Sequence, residues 1–113
     1  MEFNGNGYKV TYDINSGAIS FSGTFRCTND EYAEMSKILE QVSAAKPAKI
    51  IIDLTSMEFL NSSGINMLAK FVINMRKGSD SSLEIKGSNS FPWQGKSLPN
   101  LKKLHPTLNL IMQ

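Results

Sequence analysis

The sequence is short of the residues that most site chemistry needs. Its 113 residues include one cysteine, Cys27, and one histidine, His105. A lone cysteine cannot close an internal disulfide, so the simplest expected compartment is a reducing cytoplasm. One Cys and one His also exclude a metal cluster built from those ligands. The carboxylates Asp13, Asp30, Asp53 and Asp80 follow no motif spacing, and neither a metal nor a cofactor is expected. No run approaches the roughly 18 apolar residues of a membrane span. Met1 leads into EFNGNGY without the basic and apolar regions of a secretion signal, so the chain is expected to stay where it is made. The net charge is only +2 and the basic residues are scattered, which argues against nucleic acid as a partner.

Catalytic patterns are missing too. There is no G-x-x-x-x-G-K-[ST] phosphate loop, and Gly5-Asn6-Gly7, read as preceding the first strand, lacks the G-x-G-x-x-G order. Ser63-Gly64 is not a nucleophile elbow of the G-x-S-x-G type. A hydrolytic serine would need His105, which stands before Pro106 with no acid partner in the sequence. A surface or capping role is expected for it, and no enzymatic activity.

What is present is the composition of one folded domain over residues 1–113, with 41% hydrophobic and 19% charged residues. Residues 8–13 (YKVTYD) and 18–23 (AISFSG) alternate like strands, and the turn chemistry of residues 14–17 joins them as a hairpin. Residues 28–31 (TNDE) form a capping box. Behind it Tyr32, Met35, Leu39 and Val42 give a helix one apolar stripe, ending near Ala45 because Pro47 disfavours helical geometry at Lys46. Residues 49–54 (KIIIDL) read as a strand buried on both faces. A second helix carries Ile65, Leu68, Phe71, Val72 and Met75 on one side, with Arg76-Lys77 in its last turn and Gly78 beyond. After a strand at residues 82–87, residues 88–100 read as a long loop, 101–105 as a helical turn at most, and 107–112 as a last strand. This alternation specifies an α/β domain around a central sheet.

Residues 61–64 (NSSG) fall where the exit of a buried strand meets a helix N-terminus. Asn and Ser are both strong N-cap residues, so one reading of these residues is that they only cap the helix. The first turn is equally a natural place for an anion, with Gly64 leaving the approach open. Phosphate on Ser62 would add about −1.5 to −2 charges there. The helix end tolerates that charge, so the fold would persist while the surface changes. Phe91-Pro92-Trp93 offers two readings: Trp93 as an exposed binding anchor, or as a ring packed over its own core.

The block DLTSMEFLNSSGINML (residues 53–68) resembles the signature of the STAS domains of bacterial anti-sigma-factor antagonists. AISFSGTF (18–25) and NLKKLHPTLNLI (100–111) resemble, more weakly, that family's second strand and its last helix and strand. The resemblance implies a mixed β-sheet with helices mainly on one side and no enzymatic activity. It also implies binding to a regulatory protein, typically an anti-sigma factor with serine kinase activity, and a phosphatase that reverses phosphorylation. By alignment Ser62 is the phosphoacceptor, and Asn61, Ser63 and Gly64 shape its site. Exposed positions of the same helix, such as Asn66, would contact the partner. Two positions depart from the family pattern: its motif aspartate is Asn61 here, and an acidic position after the second strand is Arg26, which would draw a phosphate or an acidic partner surface. Two other roles fit the fold, an unphosphorylated scaffold or subunit of a larger complex, and a small-ligand binder.

Overall fold

The computed structural model describes residues 2–78 and 81–113; Asp80 lies outside them. Six strands form one sheet in chain order: β1 Glu2–Gly5, β2 Tyr8–Asp13, β3 Ala18–Phe25, β4 Lys49–Leu60, β5 Ser82–Gly87 and β6 Asn109–Met112. The first three strands pair antiparallel, and β3 to β6 run parallel. Each parallel step is bridged by a helix: α1 Asn29–Ala44, α2 Ser62–Gly78 and α3 Pro92–Leu104. Right-handed crossovers that all step the same way along a sheet put every helix on one face. α2 packs between α1 and α3.

The expected mixed sheet with one-sided helices is therefore present, and burial along β4 shows the consequence. Ile50, Ile52, Leu54, Met57 and Leu60 are buried beneath the helices, while Ile51, Asp53 and Thr55 are half-exposed on the other face. This corrects the two-sided burial expected for residues 49–54. An unbroken β-branched run fits any pleated surface, so the composition alone did not count the covered faces. On the open face the Asp53 carboxylate accepts from the Thr55 amide (3.0 Å) and hydroxyl (2.6 Å).

The expected α1 is present, with Thr28 as N-cap, both halves of the capping box, and Tyr32, Met35, Leu39 and Val42 buried. Its C-cap is Ala45, and Lys46 turns left-handed (φ 52°) ahead of Pro47. In α2, Leu68, Phe71, Val72 and Met75 are buried with Met67, and Ile65 is half-buried.

Three elements differ from the sequence reading. The strand read over residues 49–54 continues to Leu60. Gly5-Asn6-Gly7 does not precede the first strand: Glu2–Gly5 is itself a strand, turning through Asn6-Gly7 so that Gly5 faces Tyr8. Gly7 has φ 86°, a value that the Asn-Gly hairpin turn requires. Most of the loop read over residues 88–100 and the short turn after it belong to one helix, α3 from Pro92 to Leu104, with Pro92 in its first turn and Pro99 inside. Pro99 forfeits the bond to the carbonyl of residue 95, but Gly95 and Pro99 are both exposed, so water can take that acceptor.

Candidate functional site

In a parallel sheet the helices start where the preceding strands end. The N-termini of α1, α2 and α3 therefore gather at one rim, beyond the C-terminal ends of β3, β4 and β5, where open α/β sheets hold their sites. NSSG sits on this rim at the start of α2.

The cap of α2 is Asn61. Its side-chain Oδ1 accepts the Gly64 amide (3.2 Å) and the Tyr32 hydroxyl (2.6 Å), and its Nδ2 donates to the Cys27 carbonyl (3.2 Å). The amide orientation follows from these partners, because only a nitrogen can serve a carbonyl and only an oxygen an N–H. The Asn61 backbone completes the junction: its N–H donates to the Phe25 carbonyl, and its carbonyl accepts from Gly64 and Ile65. Asn61 thus ties the start of α2 to the end of β3 and to the first turn of α1. This is a physical account of the asparagine, since a carboxylate there would face the Cys27 carbonyl with no proton to offer.

The capping reading therefore holds for Asn61 and is corrected for the serines. Ser62 and Ser63 occupy the first two helical positions, and among the described residues neither hydroxyl makes a hydrogen bond. Their amides likewise have no acceptor among the described residues, as the geometry of a helix start dictates. Ser62 is exposed; Ser63 is half-buried at the head of an open groove of about 600 Å³ between α1 and α2, which Asn66, Met67 and Lys70 also line. Gly64 does not open the approach as expected, because it is buried. A Cβ there would lie 2.2 Å from Leu60 Cδ1 and 2.7 Å from the Tyr32 hydroxyl. The glycine is required by packing.

Neighbouring groups set the electrostatics. α1 starts with Asp30 and Glu31, whereas the first turn of α2 carries no acid. The Glu31 carboxylate accepts from the Tyr8 hydroxyl (2.6 Å) and the Thr28 amide (3.0 Å), and these bonds hold its pKa below the usual value. Burial pushes the Tyr8 hydroxyl up, and Tyr32 up to about 12. Burial also raises the Cys27 thiol, so it is a poor nucleophile. Arg26 is exposed at the exit of β3, its guanidinium 4.8 Å from the centre of the Phe59 ring, and no carboxylate pairs with it among the described residues.

The remaining candidates separate from this rim or turn inward. His105 is buried, caps the C-terminal end of α3 and faces the Thr107 hydroxyl (3.0 Å). It stands at the opposite end of the helices from Ser62 and cannot act as its base. The surface half of the reading for His105 is corrected; the capping half holds. Trp93 is half-buried against the core, and its indole N–H donates to the Met57 carbonyl (3.3 Å), so it takes the packed one of its two readings. Among the described residues no three of His, Cys, Asp and Glu cluster as metal ligands.

Sequence reasoning missed Gln94, which lay in the supposed loop. Beyond Asp53, β4 has left β5 and slips twice against β3. Gln94, fully buried, donates to the Leu54 (2.8 Å) and Met57 (3.0 Å) carbonyls and accepts from the Ser88 amide (2.7 Å). It holds the irregular end of β4 that delivers NSSG. A polar residue amid FPWQGKSL at helical spacing from Leu98 and Leu101 was the available signal.

A sheet with one helical face, a neutral capped helix start and two free hydroxyls on its rim define a small α/β module of the kind that presents a surface. The STAS-domain family model matches residues 9–83, and the chain belongs to that family. A search of curated proteins finds no significant match. Among solved structures, the fold resembles a chain of the complex of the diguanylate cyclase SiaD with its activator SiaC from Pseudomonas aeruginosa (TM-score 0.77, 14% identity, 100% of this chain and 98% of that one). It also resembles SiaC alone from the same organism (0.74, 13%, 100% and 96%). An anti-sigma factor antagonist from Mycobacterium paratuberculosis is similar at TM-score 0.67 and 22% identity, over 90% of this chain and 85% of that one. At these identities the likeness is one of fold. No helix among the described residues is long and apolar enough to cross a membrane.

Proposed function

We propose that the whole chain acts as a cytoplasmic, non-enzymatic protein-binding module whose partner surface is switched by reversible phosphorylation of Ser62. The observation that carries this reading is the division of labour at the start of α2. Asn61 satisfies the cap, which leaves the Ser62 hydroxyl exposed and without a structural task. Phosphate added there meets free amides and the positive helix end, so the fold tolerates it while the surface gains about −1.5 to −2 charges. Ser63 and Gly64 shape the site, Asn66 lies one turn further along the same face, and Arg26 stands on the rim as an unpaired cation. The expected partner is a regulatory protein of the anti-sigma type with serine kinase activity, opposed by a phosphatase, and the regulated process is transcription. The fold relatives support binding as the shared theme, since one is an anti-sigma factor antagonist and another the activator of a cyclase.

The test is co-purification from the native host with tagged wild-type, Ser62→Ala and Ser62→Asp proteins, compared by quantitative mass spectrometry. The switch predicts a partner held by wild type and Ser62→Ala and lost from Ser62→Asp, with all three equally folded. A partner retained equally by all three would instead mark a constitutive scaffold.

A further inference from the structure

Charge on the helical layer is segregated by helix. α2 and α3 carry Lys70, Arg76, Lys77, Lys96, Lys102 and Lys103 and not one Asp or Glu. α1 carries Asp30, Glu31, Glu34 and Glu40 against Lys37 alone. With a net charge of +2 for the chain, the basic half is a local feature and not a general bias. Two of its six cations serve the fold: Arg76 donates to the Leu104 carbonyl (3.3 Å), and Lys102 to the carbonyls of Pro106 and Leu108. The other four, Lys70, Lys77, Lys96 and Lys103, are exposed with no carboxylate partner among the described residues, whereas Lys9, Lys37 and Lys49 are ion-paired.

We infer that the exposed faces of α2 and α3 together receive the partner, and that the surface they fit is an acidic protein surface. This inference rests on the binding reading above and names the chemistry of its partner. The make-up of the face favours protein over the other polyanions. The exposed large hydrophobic residues among those described are Ile14 and Phe59, neither of them on α2 or α3, so the face has nothing to insert into a bilayer. Its only indole, Trp93, is turned into the core, which leaves no ring for stacking bases. Its free cations are lysines, which lack the planar fork that grips phosphates in pairs.

The same geometry explains how phosphate would act. Along α2 the exposed Ser62, Asn66, Lys70, Asn74 and Lys77 follow one another at steps of three and four residues, so they form a single stripe headed by the serine. Ser62 lies about 12 Å from Lys70 along the axis, close to a Debye length at moderate salt. A phosphate there would offset the positive charge of the stripe nearest to it and repel an acidic surface.

The test is NMR titration of isotopically labelled protein with a short polyglutamate peptide, beside single-stranded RNA of equal length and phosphatidylglycerol vesicles. Expected are saturable shift changes at Lys70, Lys77, Lys96 and Lys103, weakening as salt rises. A variant with these four lysines changed to Gln should bind the peptide about tenfold or more weakly, while Lys9→Gln/Lys37→Gln binds like wild type. Shifts centred elsewhere, an unaffected quadruple variant, or tighter binding of the RNA or vesicles through the same lysines would overturn the inference. Ser62→Asp separates the two readings. If the quadruple variant loses the peptide and Ser62→Asp does not, the acidic-partner face stands and the switch falls. The reverse result keeps the switch and removes this face.

Discussion

α1 and α2 begin at equivalent places, each just after a parallel strand on the same rim, yet their first turns are built differently. At α1 the N-cap is Thr28 and the residue three positions on is Glu31, which reaches back to the Thr28 amide and also receives the Tyr8 hydroxyl. The chain supplies the negative charge that this helix end favours. At α2 the cap is the neutral Asn61, the third position is Gly64, and the first turn holds two serines and no acid. No side chain could reach back from position 64, because Leu60 and Tyr32 occupy the space. One helix start is closed by its own residues. The other is structurally complete but electrostatically open, a state that a removable phosphate suits.

The largest expected effect tests the packing half of this contrast. Gly64→Ala forces Leu60 or Tyr32 to shift and should cost about 1–3 kcal/mol of stability in urea unfolding; an unchanged midpoint would mean that the glycine has another purpose. Asn61→Ala removes the cap and strands the Tyr32 hydroxyl and Cys27 carbonyl, for about 2 kcal/mol. Thr28→Ala should cost about 1 kcal/mol, because its loss exposes the freed groups to water. If the two caps were equivalent, their costs would match.

Titration separates the two starts further. Glu31 has a depressed pKa in the folded state, so its contribution is present above the usual carboxylate range and is lost as pH falls through the folded value. Tyr32 has a raised pKa, so its contribution is present below the unfolded value, near 10, and is lost as pH rises through about 12. Tyr8 adds to the alkaline loss by the same logic. Unfolding followed against pH should therefore show an acid slope that Glu31→Gln flattens and an alkaline slope that Tyr32→Phe reduces. The smallest effect belongs to Ser62→Asp, which should raise stability by about 0.3–1 kcal/mol at low salt, with the gain fading as salt is added. A loss of stability would contradict an open helix end.

The difference between the two starts was only partly legible in the sequence. The capping box at Thr28 depends on four consecutive residues, and local pattern was enough to find it. That Asn61 suits a cap was legible, but its bonds to Tyr32 and Cys27, far away in the chain, were hidden until β3, α1 and β4 came together. The α/β alternation and the two amphipathic helices could be read from periodicity. β1 was missed although Asn6-Gly7 is a hairpin signal, because the strand before it is only four residues long. All but the last part of α3 was missed because Pro92 and Pro99 were weighed as breakers, whereas one sits at a permitted first-turn position and the other faces water. With α3 went the part played by Gln94.

The most direct test of the central claim is the intact mass of the protein purified from its own host across growth conditions, with any phosphate located by peptide fragmentation. The account predicts a species carrying one phosphate, on Ser62, whose abundance changes with conditions. A single unmodified mass in every condition would contradict it.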